Sequence, residues 1–147
     1  MSPVDIEDNL RLVNELYEAI NNKDWDTVFR LHSRDHLRFD TNRAEPMKGL
    51  NLYREYVVGF AEAFPDLRIE VVRAFGQGDM VCDEHITSGT HNGPMKSSDG
   101  RTIPPTGKSF SVRNCHIYRI EAGKVVETWR YLDQLVFLAQ LDLIPKG

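Results

Sequence analysis

Apolar residues recur at helical spacing from the start of the chain. Ile6, Leu10, Val13, Tyr17 and Ile20 fall on one stripe, the pattern of a helix with one buried face. The helix is predicted from about Pro3 to Asn21, with Ser2 as its cap, Pro3 at its first position and Asp5 three residues after the serine. A second helix is predicted from about Trp25 to His32 behind Asp24, and a short strand from His36 to Asp40. A third helix, about Leu50 to Phe64, carries Leu52, Tyr53, Tyr56, Val57 and Phe60 and stops before Pro65.

Beyond Pro65 the period changes to that of strands. Asp66–Phe75 is rich in β-branched residues and ends at Gly76 and Gly78. Met80–Thr90 follows, then a Gly-, Pro- and Ser-rich loop from Gly93 to Gly107, then strands at Ser109–Ile120 and Lys124–Leu132 and a last helix at Asp133–Leu141. Helices first and strands afterwards predict an α+β fold, with an antiparallel sheet packed on helices. A curled sheet closed by helices leaves a concave side on which a ligand pocket can form.

The Ser109–Ile120 strand divides cleanly. Phe110, Val112, Asn114, His116, Tyr118 and Ile120 alternate with Ser109, Ser111, Arg113, Cys115, Ile117 and Arg119. The first set is the more apolar and is expected inside. Asn114 and His116 then sit mid-strand among apolar neighbours, where unpaired polar groups cost a few kcal/mol. They form either a satisfied core network or the wall of a small-molecule site. The facing strand depends on the turn. A three-residue loop, Glu121-Ala122-Gly123, pairs Asn114 with Arg130 and His116 with Thr128, and points Val126, Thr128, Arg130 and Leu132 inward. A two-residue loop, Ala122-Gly123, points Glu127, Trp129, Tyr131 and Asp133 inward instead. The first is favoured because it sets Val126 on Tyr118 and Arg130 beside Asn114. A buried Arg130 needs an anion from Asp133, Asp83 or a substrate.

Asp83, His85 and His91 share one face of the Met80–His91 segment. That set reads foremost as a solvated face or subunit contact, and alternatively as a carboxylate–imidazole pair for acid/base work. His91, on the rim of the following loop, is a candidate substrate contact. Tyr17, Trp25, Tyr53, Tyr56 and Phe60 read as core, some of them lining the cavity. His32, Asp35 and His36 complete no metal motif, and no metal is expected there.

Composition narrows the function classes. The 147 residues suit one domain, and 41% hydrophobic with 27% charged residues marks a globular chain rather than a disordered one. A net charge of −4 argues against nucleic acid as the main partner. No apolar run approaches the ~20 residues of a membrane span, and the MSPVDIEDNL start lacks a signal-peptide pattern. A cytoplasmic location is expected by default. Cys82 and Cys115 have no metal-site spacing and read as small buried thiols.

Several stretches together resemble the SnoaL-like polyketide cyclase family, within the nuclear transport factor 2-like superfamily. They are NELYEAINNKDWD, KGLNLYREYVVGFAEAFPDLRIEV, Gly78-Asp79, SGTHNG, PPTGKSF and YRIEAGKVVETWRYLDQLVFLAQLDL. The resemblance runs nearly end to end, as a single domain over residues 1–147. It implies a cone: a curved antiparallel sheet, helices over its open side, and a homodimer formed through the sheet. It also implies cyclases that need no metal or organic cofactor and close a ring by an intramolecular aldol reaction on a polyketide ester. The family's acid/base Asp directly follows the tryptophan that is Trp129 here, and an assisting His corresponds to His116. In this chain the residue after Trp129 is Arg130. The nearest carboxylate, Asp133, lies three residues further on.

The resemblance implies a catalytic role for His116. Where the chain departs from it, Asp133, or another carboxylate such as Asp40 or Glu62, is the candidate relocated acid/base, and Arg130 is a candidate for polarising a carbonyl or binding a carboxylate. Asn114, His91, Trp129, Tyr17, Trp25 and Phe60 are the expected substrate contacts. A cyclase or isomerase is the first expectation. Other chemistry in the same cone, such as an isomerase or hydrolase using Arg130 and His116, and a non-catalytic small-molecule-binding protein are the alternatives.

Overall fold

The computed structural model describes residues 5–97 and 99–144. The first helix, α1, spans Ile6–Asn21, and the Asp5 carboxylate caps it by accepting from the Glu7 and Asp8 amides. Ser2 and Pro3, expected at its start, lie outside the described residues. Helix α1 buries Leu12, Val13, Leu16, Tyr17, Ala19 and Ile20. A short helix α2, Trp25–Arg30, follows with Asp24 as its cap.

The chain then extends sooner than expected. Strand β1 spans His32–Asp40, so His32 belongs to the strand and not to the helix before it. Arg34 and Asp35 interrupt the alternation with two exposed residues in a row, which hides the strand's first half in the sequence. Strand β2 (Met47–Lys48) precedes helix α3 (Leu50–Ala63). Strands β3 (Arg68–Gln77) and β4 (Met80–Thr90) form a hairpin. The expected Gly93–Gly107 loop contains a small ribbon of β5 (Met95–Lys96) and β6 (Thr102–Ile103). The long hairpin of β7 (Ser109–Glu121) and β8 (Lys124–Tyr131) leads into helix α4 (Gln134–Gln140).

Six of these strands form one curved sheet in the order β2-β1-β8-β7-β4-β3. All its pairings are antiparallel except β1 with β8, which run parallel. Helix α1 packs across β3 and β4, and α3 packs against β1. Between helices and sheet lies one apolar cluster containing Val13, Leu16, Val28, Phe64, Val81, Val125 and Leu141, all almost without exposure. A backbone contact ties the loop after β4 to α3. The Asn92 and Gly93 amides both donate to Ala63 O at 3.1 Å. A Cβ on Gly93 would lie 2.1 Å from Glu62 O, so no larger residue fits there. Among the described residues, no helix is long and apolar enough to cross a membrane.

The β7–β8 register differs from both expectations. The turn is the two-residue form, with Ala122 (φ 51°) and Gly123 (φ 73°) both left-handed and Glu121 paired with Lys124, as a tight hairpin turn requires. That form alone would point Trp129 inward. A bulge follows, because Ile120 pairs with Val125 but Arg119 pairs with Glu127. Val126 is the extra residue, and the one-residue slip turns Thr128 and Arg130 back to the inner face. His116 therefore faces Arg130, and Tyr118 faces Thr128.

Candidate active site

The inner face of the sheet concentrates polar side chains that the outer alternation excludes. Strand β4 contributes Asp83, His85 and Thr87, and β7 contributes Asn114, His116 and Tyr118. In register, Asp83 lies opposite His116 and His85 opposite Asn114. Strand β8 adds Thr128 and Arg130, β1 adds Arg38 and Asp40, and Tyr17 reaches down from the buried stripe of α1. Asp83 and His85 are thus not a solvated face. They are 0% and 1% exposed, because β4 is a central strand covered on this side by α1.

Five of these groups form a closed hydrogen-bond network. The Tyr17 hydroxyl lies 2.7 Å from Asp83 Oδ2, 2.6 Å from the Tyr118 hydroxyl and 2.8 Å from His116 Nδ1. The Tyr118 hydroxyl lies 2.6 Å from the same Nδ1, and His85 Nδ1–H donates to Asp83 Oδ1 at 2.6 Å. Counting hydrogens assigns the chain. With Asp83 ionised, the Tyr17 proton goes to its carboxylate. The short contact between the two phenols needs a proton, and only Tyr118 can then supply it. His116 Nδ1 must in turn donate, which makes its Nε2 the bare nitrogen. Every hydrogen then points toward Asp83. Burial pushes both phenols well above their ordinary pKa, so they are neutral relays.

His116 Nε2 is buried and has no hydrogen-bond partner among the described residues. Burial, reinforced by His85, Arg38 and Arg130, holds this imidazole well below its ordinary pKa, so it is neutral and able to accept a proton. Beside it, Asn114 donates to Thr87 Oγ1 at 3.3 Å and leaves its own Oδ1 unpartnered. Two buried polar atoms of the same strand thus lack a hydrogen-bond partner among the described residues.

Arg38, Asp40 and Arg130 form a second cluster. Arg38 Nε donates to Asp40 Oδ1 and Oδ2 at 3.1 and 3.3 Å, and Arg130 Nε donates to Oδ1 at 2.9 Å. The Tyr56 ring lies 5.2 Å from the Arg38 guanidinium carbon and 5.5 Å from that of Arg130, within cation–π range of both. Burial alone would raise the Asp40 pKa, but the two arginines outweigh it and hold the carboxyl below its usual range. Asp40 is therefore the anion that Arg130 needs, in place of Asp133 or Asp83. Both Asp40 oxygens are taken up by the arginines, whereas His116 Nε2 has its lone pair free.

The other expected contacts lie apart from this cluster. Asp133 is exposed and caps α4, accepting from the Val136 amide at 3.1 Å. Its carboxylate is not turned into the cone, because the bulge reverses the strand's faces before β8 ends. Trp129 sits on the outer face, stacked on Phe39 at 5.7 Å, and Glu62 is exposed. Trp25 is half-buried and lines, with Lys23, Val58, Ala61, Glu62 and Pro65, a surface cavity of about 220 Å³. Phe60 packs among Phe64, Phe110 and Phe137. His91 is buried beside Phe64, where its Nδ1 accepts from the Thr106 hydroxyl (3.0 Å) and amide (3.2 Å) and its Nε2 is unpartnered. A second cavity, of about 260 Å³, lies at Asn42–Glu45. Neither of these two cavities is lined by His116 or Asn114.

Arg38 and Tyr118 were not singled out as chemistry from the sequence. Their signal was present, since Arg38 and Asp40 share a face two residues apart and Tyr118 continues the Asn114–His116 alternation. One ligating atom from each of Asp83, His85 and His116 lies within 4.8 Å of the others, the composition of a two-histidine, one-carboxylate metal set. Both Asp83 oxygens and His116 Nδ1 also have partners within the hydrogen-bond network. His32 and His36 likewise direct a ring nitrogen to Val28 O (2.6 Å) and Thr128 Oγ1 (2.8 Å).

Among solved structures, the fold matches AclR, a candidate hydroxylase from Streptomyces galilaeus, at 24% identity and TM-score 0.81, covering 97% of this chain and 86% of that one. It matches a candidate SnoaL-like polyketide cyclase from Jannaschia sp. CCS1 at 20% identity and TM-score 0.83, covering 99% and 98%. IdmH, a candidate polyketide cyclase from Streptomyces antibioticus, is 25% identical with TM-score 0.75, covering 91% and 98%. No curated protein matches in sequence. The family model for SnoaL-like polyketide cyclases matches residues 11–141, a span that includes the whole of the Tyr17–Asp83–His116–Tyr118 network and both arginines. The chain belongs to the SnoaL-like polyketide cyclase family.

Proposed function

We propose that this protein catalyses cyclisation or isomerisation of a polyketide-like small molecule by acid/base chemistry, with His116 Nε2 as the base. The observation that carries this reading is the pairing of a bare, buried, unpartnered Nε2 with an Nδ1 held in a relay to a buried carboxylate. Nε2 removes a proton from a carbon next to a carbonyl. The imidazolium that forms is stabilised through Tyr118 and Tyr17 by Asp83. The electron pair moves onto the carbonyl oxygen, and Arg130, the cross-strand partner of His116 on β8, donates a hydrogen bond to the enolate oxygen. For ring closure, the enolate carbon attacks a second carbonyl of the same molecule, and the new alkoxide recovers the proton from Nε2. The reaction needs only a proton acceptor and a nearby cation, so it requires no organic cofactor.

In this reading Arg130 replaces the family's acid/base carboxylate with an electrostatic group, and the base moves across the sheet to His116. Asn114 orients the substrate from the neighbouring position. The active form is a homodimer joined through the outer face of the sheet. Phe39, Trp129, Ile117, Cys82 and Phe75 stand in one cross-strand row there, and Phe75 is 61% exposed. Such a row presents an apolar strip to a second copy.

The test is ring closure of a panel of linear aromatic β-keto esters and β-keto acids by the wild type, His116→Gln and His116→Ala. A loss in kcat of about 10²-fold or more is expected in both variants. Equal turnover in all three would discard His116 as the base.

A further inference from the structure

Two buried charges, Arg38 and Asp40, meet the half-buried Arg130 where β1 and β8 run side by side. Arg38 and Arg130 are both cations, Asp40 is the one anion between them, and their side chains are 7%, 12% and 0% exposed. In each contact the donor is Nε, so the terminal amino groups of both guanidinium groups take no part in the Asp40 bonds. The cluster therefore has one positive charge in excess and unused donors in a planar fork geometry.

The rest of the cone does not balance that charge. The phenols of Tyr53 and Tyr56 offer ring faces to Arg38 at 5.5 and 5.2 Å but no formal charge. Burial pushes the Tyr53 phenol up to about 12, so it stays protonated. The remaining buried carboxylate on the inner face, Asp83, is held by His85 and Tyr17 at the β4 side of the sheet. An excess cation in so sheltered a place favours the binding of an anion beside it. Arg130 is also the cross-strand partner of His116, so the anion site and the proton acceptor stem from paired positions of β8 and β7.

We propose that Arg38 and Arg130 bind a carboxylate of the substrate, so that the cone takes a free acid in preference to the corresponding ester or amide. The proposal rests on the reading of the cone as a substrate site and names the class of molecule it accepts. The carboxylate supplies the missing negative charge and accepts from the terminal amino groups, while Asp40 stays between the Nε–H groups and keeps the two forks spread. The reacting carbons are thereby anchored at a fixed distance from His116.

The experiment follows the arginine side-chain Nε–H signals by NMR while the protein is titrated with benzoate or with benzamide, its neutral analogue, at constant ionic strength. Benzoate should shift the Arg130 and Arg38 signals saturably, and benzamide should bind about tenfold or more weakly. Arg130→Lys, which keeps the charge and loses the fork, should weaken benzoate binding while the fold is retained. Arg130→Gln should abolish the preference for the acid. No shift with benzoate, or equal shifts with benzamide, would overturn the proposal. Because the readout is binding, a failed titration beside His116-dependent ring closure would discard the carboxylate site alone. A successful titration beside closure that ignores His116 would discard the base assignment alone.

Discussion

The Tyr118 hydroxyl lies 2.6 Å from His116 Nδ1 and 2.6 Å from the Tyr17 hydroxyl, and this position between them decides which imidazole nitrogen is bare. Removing the hydroxyl breaks the relay at its middle. Tyr118→Phe leaves His116 Nδ1 with only the Tyr17 hydroxyl at 2.8 Å, and the imidazolium loses its connection through Tyr118. The expected result is a fall in kcat of about 10- to 100-fold with little change in KM, because the ring still occupies its place in the core. A nitrogen NMR measurement of the imidazole should show Nδ1 protonated and Nε2 bare in the wild type, and a mixture of tautomers in the variant. An unchanged tautomer would refute the proton assignment.

Asp40 separates two guanidinium groups, so its removal leaves two buried cations facing each other. Asp40→Asn is expected to cost about 3–5 kcal/mol of stability, read as a lower urea midpoint. Arg130→Met removes one of the two charges that Asp40 balances and should cost less, since Arg38 still pairs with the carboxylate through two bonds. Equal losses in the two variants would mean that Asp40 is not shared as the geometry indicates.

The α+β architecture was legible because its signals are local. The α1 stripe, the stop before Pro65 and the alternation of β7 each need only neighbouring residues. The inward set of β7, with Asn114 and His116 in its centre, was legible for the same reason. What was not legible depended on contacts distant in sequence. The face of β4 is decided by α1 packing over it, and Asp83 reads as a surface residue until Tyr17, 66 positions away, supplies its proton. The bulge at Val126 changes which of Arg130 and Trp129 is inside, and no turn rule contains it. The parallel placement of β1 beside β8, which brings Arg38 and Asp40 to the site, is long-range as well.

Asp133 tests the difference between family position and physical position. It caps α4 from the surface, so Asp133→Ala should cost about 1 kcal/mol through the lost cap and leave ring closure within about twofold. Asp133→Asn, which can still cap, should recover most of that stability. A large fall in kcat with unchanged stability would return Asp133 to the catalytic set.

Buried histidines give the fold a defined acid sensitivity. Burial lowers His32 to about 4 and His36 to about 2, and also lowers His91 and His116. The unfolded chain takes up protons near the ordinary value of about 6.5, while the folded chain does not. Stability is therefore full above pH 6.5 and falls as pH drops below it, since the unfolded state then binds more protons. Each such histidine contributes a slope of up to about 1.4 kcal/mol per pH unit. His32 stops contributing near pH 4, after a loss of about 3 kcal/mol. Together they remove a large part of a domain's ~5–15 kcal/mol by pH 5. His32→Asn keeps an N–H for Val28 O and should flatten the slope below pH 6 by about one histidine's share. Urea unfolding at pH 7.5, 6.0 and 5.0 measures both. A wild type equally stable at all three values would contradict the burial of neutral imidazoles on which the active-site proton assignment also depends.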